Sequence, residues 1–112
     1  MVNYVPARGD VVWLEFDPQA GHEQARRRPA LVLSPIAYNR RVGLALVCPI
    51  TTQVKGYPFE VAVPASTPEL HGVILADQVK SLDWHARQAA LLGRVPDSTV
   101  GEVVDLISRL LY

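Results

Sequence analysis

Short apolar runs separated by turn residues recur along this chain, and their spacing leaves little choice of fold. DVVWLEF (10–16), PALVLSP (29–35), GLALVCPIT (43–51), FEVAVP (59–64) and LLGRV (91–95) are each of strand length, and β-branched and aromatic side chains are frequent among them. GVILADQVKSLDW (72–84) reads as a strand that turns polar and continues. PALVLSP is bracketed by prolines, and its unbroken apolar character predicts burial on both faces. GLALVCPIT is similar, with Pro49 marking a bulge, an edge or the strand's end.

The period changes near Val100. Val103, Val104, Ile107, Leu110 and Leu111 fall on one face of a helix, and its start is signalled by Pro96, Asp97 and the capping-box pattern Thr99-x-x-Glu102. A short helical turn is expected near Pro35 to Asn39. The fold predicted is a small, strongly curved, mostly antiparallel β-barrel closed by a C-terminal helix. Its 112 residues suit a single domain spanning 1–112 with one core.

Composition narrows the function classes. The chain is 49% apolar and 20% charged, a globular balance. No apolar run approaches the ~18 residues of a membrane span, and MVNYVPARGD lacks the basic start and apolar stretch of a secretory leader. A single cysteine, Cys48, fits a reducing cytoplasm and a small buried residue rather than a nucleophile. Eleven basic residues balance eleven acidic ones, so no global field draws the protein onto a polyanion. Yet Arg26, Arg27, Arg28, Arg40 and Arg41 lie in a segment that holds no acid, which favours a small anionic site over a long nucleic-acid tract.

DPQAGHEQARRR (17–28) does not fit the regular spacing. Loops of this length in a compact domain are usually functional or disordered, and this one delivers the arginines to the second strand. A residue before proline is held extended, so Pro29 anchors the backbone of Arg28 while Arg26 and Arg27 stay on the loop. An anchored guanidinium suits bidentate contact with phosphate. The alternative is a solvated cluster balanced by Glu15, Asp17 and Glu23. In PITTQVKGYP (49–58), Thr51 and Thr52 end a strand and Lys55 with Gly56 follows. A hydroxyl beside a cation suits a phosphoryl oxygen, whereas the plainer alternative is a pair of threonines satisfying a turn.

Other chemistry lacks its residues. His22, His71 and His85 do not have zinc-ligand spacing; His71, before Gly72, reads as a turn residue. His22 lies in the long loop, and histidine as a residue type changes charge near neutral pH, which makes it a candidate acid–base helper. There is no Walker loop, no nucleophile elbow and no catalytic pairing of carboxylates. Neither metal-dependent hydrolysis nor acyl-enzyme chemistry is supported.

Across essentially the whole chain, GDVVWLEFDPQAGHEQARRRPALVLSP, VCPITTQVKGYPFEV and GVILADQVKSLDW resemble the MazF/PemK toxins of bacterial toxin–antitoxin systems. The motifs are Gly-Asp-x-x-Trp, Gly-x-Glu-Gln, Arg-Pro, Thr-Thr-Gln-x-Lys-Gly and Leu-Ala-Asp-Gln-Val-Lys-Ser. The resemblance implies a homodimeric, SH3-like barrel that cuts single-stranded RNA at short sequences, in the cytoplasm, without metal or other cofactor. It implies that Arg28 and Thr51 carry catalysis. It places Glu23, Gln24, Arg26 and Arg27 in the loop that covers the substrate groove, and Lys55, Asp77 and Gln78 near that groove. A cognate antitoxin with an acidic segment is the implied partner. The basic loop with His22, Arg26 and Arg27, and the altered length of PASTPELHG (64–72), depart from the family pattern and bear on the cut sequence rather than the reaction. Two alternatives share the fold. One is a CcdB-like gyrase-binding toxin, which relies on a C-terminal Trp-Gly-Ile tail where this chain ends Arg-Leu-Leu-Tyr. The other is an inactive antitoxin-binding module.

Overall fold

Alternate residues of the central strands are buried on opposite faces of one sheet, and that double burial organises the molecule. The computed structural model describes residues 4–16, 27–64 and 70–112. In chain order it contains β1 (Asp10–Glu15), β2 (Arg27–Val32), α1 (Ile36–Val42), β3 (Ala45–Thr51), β4 (Glu60–Ala62), β5 (Val73–Leu75), β6 (Lys80–Leu82), β7 (Ala90–Arg94) and α2 (Asp97–Leu111), with a 3-10 turn at Ala76–Gln78. The sheet has seven strands in the order β4-β5-β3-β2-β1-β7, with β6 added against β3, and every pairing is antiparallel. Among the described residues β4 and β7, the two ends of the path, do not pair. The mostly antiparallel sheet with a C-terminal helix is as expected, and the strand pairing leaves it open.

Val11, Leu31, Cys48, Ile50 and Ile74 face one core, which α2 covers through Val100 and Val103. Val12, Leu14, Ala30, Val32 and Val47 face a second, with Phe16 and Trp84 packed at its margin. The burial of PALVLSP on both faces is therefore realised. One face of the sheet alone could not shelter so many consecutive apolar residues.

Three details of the sequence reading change. First, β2 begins at Arg27 rather than Pro29, because Glu15 and Leu14 of β1 already pair with Arg27 and Arg28. Second, GVILADQVKSLDW is not one strand. The 3-10 turn divides it, so that β5 pairs with the end of β3 (Ile50 with Ile74) and β6 with its beginning (Val47 with Lys80). The change of partner falls beside Pro49, whose lack of an N–H suits a gap in the ladder. The buried Ala76 donates its N–H to the Phe59 carbonyl instead of to β3, at 3.0 Å.

Third, the capping box does not form. Pro96 is the N-cap of α2, and its carbonyl accepts from the N–H groups of Thr99 and Val100. Thr99 lies inside the first turn with its side chain buried. The helix rotates accordingly: Val100 and Val103 are buried, Leu106 and Ile107 pack beside them, and Val104, Leu110 and Leu111 are exposed. The turn expected at 35–39 is the start of α1, which ends at Gly43 in a left-handed conformation with its N–H on the Asn39 carbonyl. Cys48 is buried, as expected.

Candidate functional site

Arg28 and Thr51 enter the site from neighbouring strands. The β2–β3 register pairs Ala30 with Pro49. Two residues further along each strand stand Arg28 and Thr51, and the period of two keeps them on the face of Ala30 and Pro49. Both line a groove of about 360 Å³. Pro49 and Ile50 from β3, Leu75 from β5, and Asp77 and Gln78 from the 3-10 turn line it as well. Lys55 lines it from the turn after β3.

Arg28 is exposed, and among the described residues its guanidinium has no hydrogen-bond or ion-pair partner. Arg27, its neighbour, points to the other face as strand alternation requires. Its Nη2 donates to the Gln88 carbonyl at 2.9 Å, and its Nη1 stands 3.9 Å from Glu15. The sheet thus engages one arginine of the cluster in protein contacts and leaves the next one presented to the groove.

The Thr51 hydroxyl oxygen accepts the Gln53 N–H at 3.1 Å. That is the turn contact the plainer sequence reading anticipated, and it leaves the hydroxyl proton available for donation into the groove. The main chain of Thr51 is held from behind. Val73 pairs with it, and Gly72, at φ 117, lies against its carbonyl.

Of the other expected site residues, Lys55, Asp77 and Gln78 line the groove, while Arg27 does not. His22, Glu23, Gln24 and Arg26 lie outside the described residues, as does most of PASTPELHG. His71 is exposed beside Gly72, as a turn residue would be.

The groove also contains side chains that the sequence reading passed over. Phe16 and Lys80 are among them, with the ammonium 5.7 Å from the ring centroid. Tyr57, Phe59, Gln53 and Glu60 are the others. Lys80 had a legible signal, since it follows Gln78 at strand period in a segment already assigned to the site. Phe16 and Glu60 had none, because only the sheet's pairing brings residues 16, 60 and 80 together. The groove is therefore positive at Arg28, Lys55 and Lys80 and negative at Glu60 and Asp77, with aromatic rings between. Among the described residues no group of three or more His, Cys, Asp or Glu side chains converges. Nor is any helix there long and apolar enough to cross a membrane.

The chain's likeness to known proteins covers this whole arrangement. The family model described as PemK-like, MazF-like toxin of type II toxin–antitoxin system matches residues 7–111. The endoribonuclease toxin MazF of Escherichia coli K12 is 56% identical over 92 residues, which are 82% of this chain and 81% of that protein. The endoribonuclease toxin ChpB of the same organism is 43% identical over 101 residues, 87% and 86% of the two chains. Among solved structures, a MazE–MazF crystal structure from Deinococcus radiodurans superposes with a TM-score of 0.91 at 53% identity, covering 97% of each chain.

Proposed function

The chain belongs to the family of PemK-like, MazF-like toxins of type II toxin–antitoxin systems, and on that footing we propose that it is a toxin endoribonuclease that cuts single-stranded RNA in the Arg28–Thr51 groove. The observation that carries the reading is the shared groove: a guanidinium from β2 and a hydroxyl from the neighbouring β3 open onto one cleft with lysines and aromatic rings.

RNA brings its own nucleophile, the 2′-hydroxyl beside each phosphate. The protein's task is to hold that oxygen in line with the leaving 5′-oxygen and to stabilise the charge that develops on the phosphoryl oxygens. Arg28 does this as a fork with fixed geometry. A unit charge pair at ~4 Å and an effective dielectric of ~20 is worth about 4 kcal/mol. Thr51, fixed through Gln53, adds one preorganised donor, a class of contact worth roughly 3 kcal/mol. The two together approach the ~8 kcal/mol of a millionfold acceleration, and alignment of the strand supplies the rest. The products are a 2′,3′-cyclic phosphate and a 5′-hydroxyl. The Arg28 guanidinium carries N–H donors and no acceptor, so it stabilises developing charge rather than taking up a proton; His22 is the candidate acid–base helper.

Lys55 and Lys80 would neutralise flanking phosphates, and Gln78, Asp77 and Gln24 would read the edges of unstacked bases. Glu23 and Arg26 belong to the loop that covers the substrate groove in the same reading, whereas Arg27, in β2, faces away from the groove. An antitoxin with an extended acidic segment fits the positive, aromatic-lined groove and would compete with RNA for it. By the same family likeness the fold is of the SH3-like type, two copies form a homodimer, and the enzyme acts in the bacterial cytoplasm on mRNA.

The test is to expose a long mixed RNA to the purified protein in excess chelator and to sequence the new 5′ ends. Cuts at a recurring short sequence, leaving 5′-hydroxyl and cyclic phosphate ends, are expected. Intact RNA in chelator with cleavage restored by a divalent cation would sink the metal-free mechanism, and intact RNA under both conditions would sink the activity.

A further inference from the structure

Lys55, Gly56 and Tyr57 form a turn at the rim of the groove, and Glu60 clamps it. One carboxylate oxygen of Glu60 accepts the Lys55 N–H and the other the Gly56 N–H, each at 3.0 Å. The Glu60 N–H returns to the Tyr57 carbonyl at 3.1 Å. Two successive N–H groups can converge on one carboxylate because Gly56 adopts a left-handed φ of 79°. The turn is therefore fixed by three hydrogen bonds to a residue anchored in β4. It presents the Tyr57 ring 59% exposed, at the groove that Arg28 and Thr51 also line. The Lys55 ammonium stands 6.0 Å from the centroid of that ring.

Burial does not explain this arrangement. A large ring left in water beside a cation, on a turn held rigid from below, is poorly placed for a core and well placed for a ligand. The chemistry that matches it is an unpaired nucleobase with its phosphate. The flat base stacks on the ring, and the adjoining phosphate meets the ammonium. Because the turn is already ordered, little conformational entropy is lost when the base arrives.

We propose that Tyr57, with Lys55 beside it on the turn that Glu60 holds, is a base-stacking station for one unpaired nucleotide flanking the scissile bond. The inference rests on the endoribonuclease reading and adds a subsite to it. The station selects for single strands, since a paired base is not free to leave its own stack. It tolerates any base, since every base has a π-face.

The test uses the full-length protein and an RNA carrying its mapped cut sequence, with the ribose at the cut changed to 2′-deoxy so that the nucleophile is missing. A 2-aminopurine is moved through the positions flanking the cut, and its fluorescence is read on binding. Wild-type protein should quench the probe at one flanking position. Tyr57→Leu should abolish the quench there and weaken binding on the order of tenfold. Tyr57→Trp should restore both, and Lys55→Met should lower the salt dependence of binding while leaving the quench in place. Tyr57 is exposed, so Tyr57→Leu should melt with the wild type. Quenching that persists in Tyr57→Leu, or binding by wild type with no quench at any position, would overturn the station. Failure of wild type to cut the unmodified RNA would instead remove the nuclease reading itself.

Discussion

A β-carbon on Gly72 would stand 2.2 Å from the carbonyl oxygen of Thr51, and 2.9 Å from its carbonyl carbon. The strand after β4 returns so close to the end of β3 that no side chain fits between them, and Gly72 holds a φ of 117° besides. The main chain that aims the Thr51 hydroxyl is thus braced by a residue with no side chain at all. Gly72→Ala must shift one backbone or the other. It should destabilise by roughly 1–3 kcal/mol, the usual cost of overpacking. Cleavage should fall by about a hundredfold, because a displacement of ~1 Å at a reacting group costs that much. Urea unfolding and cleavage at a temperature where the variant is fully folded separate the two effects. Wild-type cleavage with lost stability would show that Thr51 does not depend on this brace.

Arg28 is exposed, and its guanidinium has no hydrogen-bond or ion-pair partner among the described residues. Arg28→Ala should therefore unfold within about 0.5 kcal/mol of wild type, while single-turnover cleavage drops by on the order of 10²–10³. Arg28→Lys should recover little, because a point charge does not reproduce the fork. Thr51→Ser keeps the donor and should outperform Thr51→Ala. Full rescue by lysine would reduce the role of Arg28 to simple charge neutralisation.

Burial, and then the charge of Asp77, push the Cys48 thiol up to about 12 from its ordinary 9.0. The sign follows from which state ionises first. Between those values the unfolded thiol loses its proton and the folded one keeps it. The stabilisation is therefore complete below about pH 9 and is lost as the pH rises toward 12. Burial and the bond to Asp10 raise Tyr4 in the same direction, so Cys48→Ala should flatten part of the alkaline decline and leave the rest. Urea melts at pH 8, 9.5 and 10.5 measure this. Iodoacetamide at pH 8 should label Cys48 in denaturant and leave the native thiol largely untouched.

Asn39 joins three parts of the chain away from the groove. Its Nδ2 donates to the Pro6 carbonyl at 2.8 Å and the Ser34 carbonyl at 3.0 Å, and its Oδ1 accepts from the Ser34 hydroxyl. It is fully buried. Asn39→Ala strands those partners without water and should cost about 2–4 kcal/mol, one to two unsatisfied buried groups plus the bonds lost. Guanidinium unfolding reads the cost. Cleavage per folded molecule should match wild type, and a selective loss of activity would mean that this network reaches the groove.

Much of this protein was legible before any coordinates. The alternation and length of the apolar runs dictate strands, since only a sheet buried on both faces shelters PALVLSP and GLALVCPIT. The change of period after Val100 dictates the final helix. These are local properties, and a linear sequence carries them in full. At Arg28 and Thr51 the local pattern left a solvated cluster and a turn open, and it was the resemblance to a family that singled the two out. What a linear sequence does not carry is distance. The pairing of β2 with β3 that brings Arg28 and Thr51 to one groove, the turn at Ala76 that divides β5 from β6, and the meeting of Phe16, Tyr57, Glu60 and Lys80 around that groove all arise from which strands pair. The capping pattern at Thr99 failed because the helix starts earlier, capped at Pro96, which leaves Thr99 buried inside the first turn. Pairing is chosen by the burial of the whole apolar surface at once, so only the folded chain decides it.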